Sequence, residues 1–108
     1  MKITNKYKMS QWAYEQCLDN DDDIPEIRNL ITDSYHSYLY CRFVKDRKDM
    51  MIKITNSNDA CAYCKFVKDL KKMRDLITNE EDIFEYCQCV KDRKSMWRKL
   101  IKSRERNK

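Results

Sequence analysis

Cys61-Ala62-Tyr63-Cys64 and Cys87-Gln88-Cys89 place four thiols in a CxxC followed by a CxC, the donor set of a structural zinc site. The spacing argues against it. If the chain turns at Thr78-Asn79, Cys64 lies about 14 residues from the turn and Cys87 about 8, an axial offset of about 9 Å at a rise of 1.5 Å per residue. Zinc bound about 2.3 Å from each sulfur cannot gather ligands so staggered, and a CxC on a helix turns its sulfurs about 200° apart. Cys41, Cys64 and Cys87 are each preceded by a tyrosine, which makes them a column of small apolar core residues. Neither metal nor disulfide is expected, although Cys41 and Cys87 are the best pair for oxidation.

His36 is the single histidine. It could titrate near neutral pH, but no cysteine base pair or local nucleophile motif accompanies it, and a surface or half-buried position is expected. With no glycine anywhere, the chain has no phosphate-cradling loop. The run Asp19, Asp21, Asp22, Asp23 lacks the turn glycine and terminal glutamate of a calcium loop and reads as a solvated segment. No catalytic residue and no cofactor are expected.

Charge and aromatics indicate binding rather than reaction. The net charge is +5, and cations gather at the end of the sequence in Arg98, Lys99, Lys102, Arg104, Arg106 and Lys108. These exceed what complements a helix C-terminus and could meet nucleic-acid phosphates without reading sequence. Lys-Asp-x-Lys blocks at 45–48, 68–71 and 91–94 add lysines, but the aspartate in each invites local ion pairing, so a solvated face is preferred there. Tyr35, Tyr38 and Trp12 are the candidate anchors for a protein partner, because tyrosine, tryptophan and arginine dominate interface energetics. Tyr40 and Trp97 are assigned to the core.

The elements that position these residues come from an internal repeat. Residues 40–54, 63–77 and 86–100 align with a shift of 23, and the same Tyr, Cys, Val, Lys, Asp, Lys and Met recur in all three. Ile31-Thr32-Asp33, Ile54-Thr55-Asn56 and Ile77-Thr78-Asn79 punctuate the copies, and Ile3-Thr4-Asn5 repeats the signal at the start. Their side chains can cap a following helix, with Thr78 and Glu81 at capping-box spacing, and can enter the left-handed conformation that ends the previous one. Apolar residues at helical spacing, such as Tyr63, Val67, Leu70, Met73 and Ile77, predict one helix per unit. The second unit shows Phe43, Val44, Met50, Met51 and Ile54 on its apolar face, and the fourth Ile83, Tyr86, Val90, Trp97 and Leu100. A degenerate first copy is broken near residues 19–25, with Pro25 opening a short helix.

The expected fold is all-α: an antiparallel up-down four-helix bundle made of tandem 23-residue repeats, with a short α-solenoid of two helix pairs as the alternative. The 108 residues form one domain, with repeats at 5–31, 33–54, 56–77 and 79–102 and a flexible basic tail at 103–108. No stretch reaches the roughly 20 apolar residues of a membrane span, and the start lacks a leader's apolar run, so a cytoplasmic protein with reduced thiols is expected. Abundant Lys, Asn, Ile and Tyr with little Ala, Gly and Pro suggests an AT-rich source such as a large DNA virus, a phage or a low-GC microbe. The function expected is a non-enzymatic protein-interaction module, such as a viral adaptor or inhibitor of a host protein. Nucleic-acid binding through the basic end is second, and self-association into a homo-oligomer third.

Overall fold

The computed structural model describes residues 5–19 and 23–106. Among these residues there are eight helices and no strand: α1 Lys6–Asp19, α2 Pro25–Arg28, α3 Ser34–Phe43, α4 Lys48–Met51, α5 Ser57–Phe66, α6 Lys71–Leu76, α7 Glu80–Cys89 and α8 Lys94–Arg106. Each repeat is therefore a longer helix followed by another, shorter in the first three. The four long helices of an up-down bundle are absent among the described residues. Also among them, no helix is long and apolar enough to cross a membrane.

The break within each repeat has a local cause. Val44, Val67 and Val90 end their helices by bonding their amides to the carbonyls of Tyr40, Tyr63 and Tyr86, and the next lysine amide reaches the same carbonyl. β-Branched valine and the aspartate after it are poor helix formers, and the chain becomes extended at Arg47 and Leu70 before the next helix begins. The buried cysteines reinforce the turn: Cys41 Sγ donates to Arg47 O at 3.8 Å and Cys64 Sγ to Leu70 O at 4.0 Å. The apolar spacing runs through this break by coincidence. Tyr63, Met73 and Ile77 are buried, whereas Val67 and Leu70 are only half-buried; Phe43 is exposed, and Met96 rather than Trp97 fills the core.

The punctuation triplets begin helices as expected. Asp33, Asn56 and Asn79 cap α3, α5 and α7 by accepting from the amides of His36, Asp59 and Glu81, and Asn5 accepts from Tyr7 N. Thr78 is not the cap; its amide bonds Ser57 Oγ at 3.0 Å. Nor do these caps turn left-handed, with φ of -94°, -100° and -75° at Asp33, Asn56 and Asn79. The isoleucines Ile31, Ile54 and Ile77 go into the core. Ile3 and Thr4 of the first triplet, and Asn20 to Asp22 of the acidic run, lie outside the described residues. The tail expected to be flexible from 103 is helical through Arg106: Leu100-Ile101-Lys102 replaces the Ile-Thr-Asn break, so nothing stops α8.

Two compact units result, Met1–Thr55 and Asn56–Lys108, each holding two repeats. In the first, α1 packs on α2 and α3, and α3 on α4; in the second, α5 packs on α6 and α7, and α7 on α8. Serines tie the repeats to their punctuation, since Ser10 Oγ accepts from Thr32 N and Ser34 Oγ from Thr55 N, both at 3.0 Å.

An ion cluster lies within each unit. In the second, Asp69 accepts from the Tyr86 hydroxyl at 2.8 Å, from Arg74 Nη1 at 2.8 Å and from Arg93 Nη2 at 3.1 Å. An aspartate with the same kinds of donor recurs 46 residues earlier: Asp23 accepts from the Tyr40 hydroxyl, from Arg28 Nη1 at 2.6 Å and from Arg47 Nη1 at 3.0 Å. An aspartate leaving one repeat thus receives the tyrosine of the next. Burial would raise the Asp69 carboxyl, but hydrogen bonds from Arg74, Tyr86 and Arg93 outweigh it and hold the pKa below the usual 3.8; Asp23 is lowered against the same opposition, by Tyr40 and Arg28.

Replacing Asp69 with alanine leaves two arginines and a tyrosine hydroxyl without their acceptor. We expect a loss of about 2 kcal/mol in urea unfolding, a partly buried pair falling between exposed and fully buried ones. Tyr86→Phe is expected to cost about 1 kcal/mol. Because both folded carboxyl pKa values are depressed, their stabilisation is present above the unfolded value near 4 and is lost as pH falls through the lower folded values. Urea midpoints of the wild type should therefore drop below pH 4, and less steeply in Asp69→Ala.

Candidate functional site

The first unit exposes an aromatic cluster at the start of α1 and α3. His36 itself is buried, contrary to the surface or half-buried position expected, because its ring is enclosed. Its centroid lies 4.7 Å from that of Tyr7, 5.3 Å from Tyr35 and 6.2 Å from Tyr14. Asp33 fixes it from below: one carboxylate oxygen caps the His36 amide at 3.1 Å while the Nδ1 atom lies 2.8 Å from the same oxygen. The imidazole is thereby a platform with Tyr7 and Tyr35 edge-on to it. Both tyrosines are nearly half exposed, at 49% and 45%.

The three residues singled out as partner anchors do not form one patch. Tyr35 belongs to the cluster. Tyr38 is buried, with its hydroxyl accepting from Arg42 Nη1 at 3.0 Å. Trp12 is exposed, but it lies about 200° around α1 from buried Ser10 and about 140° from Tyr7, so it faces elsewhere. Tyr7 was missed because Tyr7 and Tyr35 belong to different repeats, and only the pairing of α1 with α3 unites them.

The basic end is also divided. Arg98 and Lys102 are exposed and share a stripe with Lys94 at helical spacing. Arg104 is exposed on another side, 3.9 Å from Glu80. Lys99 points inward, donating to Arg74 O at 2.6 Å and Ile77 O at 3.2 Å, which closes the carbonyl end of α6; burial lowers its pKa. Arg106 ends α8, and its side chain lies outside the described residues.

The cysteines act in packing. Five are buried and Cys89 is exposed; all six are free. Burial pushes the thiols of Cys41 and Cys64 up to about 11 and that of Cys61 to about 12, so they stay protonated donors. Cys61 Sγ donates to Asp82 O at 3.4 Å, tying α5 to α7. Among the described residues, no group of three or more His, Cys, Asp or Glu side chains is placed to hold a metal.

No family model, curated protein or solved structure matches the chain.

Thiol chemistry tests the assignment of the cysteines. At pH 8 a disulfide-exchange reagent should titrate one thiol rapidly in the folded protein, Cys89, and the other five only upon unfolding. Cys89→Ser should remove the fast phase.

Proposed function

We propose that this chain is a non-enzymatic protein-interaction module whose partner contacts the aromatic face of the first unit. The observation that carries the reading is the pair Tyr7 and Tyr35, half exposed and held edge-on to a buried, aspartate-anchored histidine. Ring positions fixed before binding reduce the entropy lost on association, and tyrosine combines apolar area with a polar tip. Trp12 extends the reading to a second face of α1. Repeated helix pairs are the kind of unit from which α-solenoid binding proteins are built, and this supports the reading. A cytoplasmic adaptor or inhibitor acting on a host protein is the form we favour.

Affinity capture with the intact chain, repeated with Tyr35→Ala and Tyr7→Ala, tests this. We expect a captured partner to be lost, or weakened at least about tenfold, in the variants while Tm stays within about 2 °C. Undiminished capture by the double variant would sink the proposal.

The second reading, nucleic-acid binding, is favoured by the exposed stripe of Lys94, Arg98 and Lys102 on α8. About three phosphate contacts would give a log-log salt slope of roughly -3 for duplex DNA, so binding should weaken steeply between about 50 and 200 mM salt. Neutralising Arg98 and Lys102 should flatten the slope by about two, whereas Lys99 should act mainly on stability. The absence of a gel shift at 50 mM salt excludes this reading.

A further inference from the structure

The ion cluster of the second unit is one negative charge short. In the first unit, Arg28 and Arg47 are matched by two carboxylates. Asp23 takes Nη1 of both, while Asp49 Oδ1 accepts from Arg47 Nε at 2.9 Å and Asp49 Oδ2 lies 3.3 Å from Arg28 Nε. Forty-six residues on, Asp69, Arg74, Tyr86 and Arg93 occupy the same places, but the position of Asp49 is Ser95.

The backbone there is equivalent. Met50 N and Met51 N bond Arg47 O at 3.2 and 2.8 Å, and Met96 N and Trp97 N bond Arg93 O at 3.1 Å each. Residue 95 thus sits in the first turn of α8 as residue 49 sits in that of α4. Without a second carboxylate, Arg93 gives its Nε to the Tyr86 hydroxyl at 2.7 Å. Two guanidiniums then share a single carboxylate, and Arg74 experiences Arg93 as a repulsive neighbour, where Arg28 experiences Asp49 as an attractive one.

Ser95 is exposed. Four of the other serines are committed: Ser10, Ser34 and Ser57 accept backbone amides, and Ser37 donates to Asp33 O at 2.7 Å. Around Ser95 run Lys91, Arg93, Lys94, Arg98 and Lys99 against one acidic residue, Asp92, a setting suited to a serine kinase that selects basic sequences.

We propose that Ser95 is a phosphorylation site, and that its phosphate supplies to Arg74 and Arg93 the anion that Asp49 supplies in the first unit. The phosphate brings a charge of about -1.5 to -2 and three acceptor oxygens to an arginine pair, a pairing that creates charge-assisted hydrogen bonds. In the transfer step, Ser95 Oγ bonds to the γ-phosphorus of a kinase-bound nucleoside triphosphate as the bond to the β-phosphate oxygen breaks. The nucleoside diphosphate leaves, and the hydroxyl proton passes to the kinase's base.

The intact chain, incubated with a basic-directed serine kinase and magnesium ATP, is expected to carry its label on Ser95 by mass spectrometry. A chain with phosphoserine installed at 95 should melt roughly 4 °C or more above the unmodified one. Ser95→Asp should show a smaller gain of the same sign and Ser95→Asn none, and Arg74→Leu should remove at least half of the phosphoserine gain. Should Arg74→Leu not fold, phosphorus NMR gives a second readout: the phosphate's second pKa should lie below its usual value of about 6. No label at Ser95, an unchanged or lower melting temperature, or a second pKa at or above about 6 would each overturn the proposal. So would 10 mM inorganic phosphate reproducing the full shift in the unmodified chain, which would assign the arginines to a free anion.

Discussion

A carboxylate that leaves one repeat to receive the tyrosine of the next, with two arginines closing around it, is the constraint on which each unit depends. Taking charges out of water costs several kcal/mol per ion, and the cost is offset only when every member finds a partner. Asp69 meets this with Tyr86, Arg74 and Arg93, and Asp23 with Tyr40, Arg28 and Arg47. For Asp69 to reach its cluster, α5 has to stop, and the doubly used Tyr63 carbonyl and the Cys64 thiol hold the resulting turn. Tyr40 and Tyr86 each serve twice: the carbonyl ends the residue's own helix, and the hydroxyl joins that helix to the aspartate of the repeat before it.

The absence of glycine shapes the rest. Helices in a glycine-free chain cannot end cheaply in the left-handed conformation; here α3, α5 and α7 end by sharing a carbonyl between two amides, α6 passes into extended backbone, and α2 and α4 close with tighter i→i+3 turns. Side-chain acceptors, Asp33, Asn56 and Asn79, restart α3, α5 and α7, whereas α2, α4 and α6 begin from extended backbone at Ile24, Arg47 and Leu70 without one. Serine hydroxyls and lysine ammoniums take up the remaining backbone groups, as at Ser57 and Lys99. Much of the polar surface is thus occupied in maintaining the fold, and Lys99, which reads as part of a basic patch, is one of these structural groups.

The exposed features differ between the units. The first holds exposed tyrosines around a buried imidazole and an ion cluster balanced by a second carboxylate. The second holds the lysine and arginine stripe of α8 and a cluster with serine in the balancing position. Repetition makes the difference visible, since equivalent positions 46 residues apart act as each other's reference.

Much of this was legible in the residues themselves. The 23-residue period, the Ile-Thr-Asn or Ile-Thr-Asp boundaries and Pro25 at a helix start followed from local chemistry, because caps and proline act within one turn. The burial of the cysteine column followed from its register. The split of each unit into two helices did not follow, because apolar spacing continues across the break at Val67 and Leu70 and conceals it. Asp23 looked like one member of a solvated acidic run, and only contact with Tyr40, 17 residues away in sequence, makes it the centre of a cluster. Likewise Tyr7 and Tyr35 acquire a common surface solely through the packing of α1 on α3. Short-range hydrogen bonding is written in neighbouring residues, whereas the partner of a charge or a ring is chosen by which helices meet, and that is settled by the folded chain as a whole.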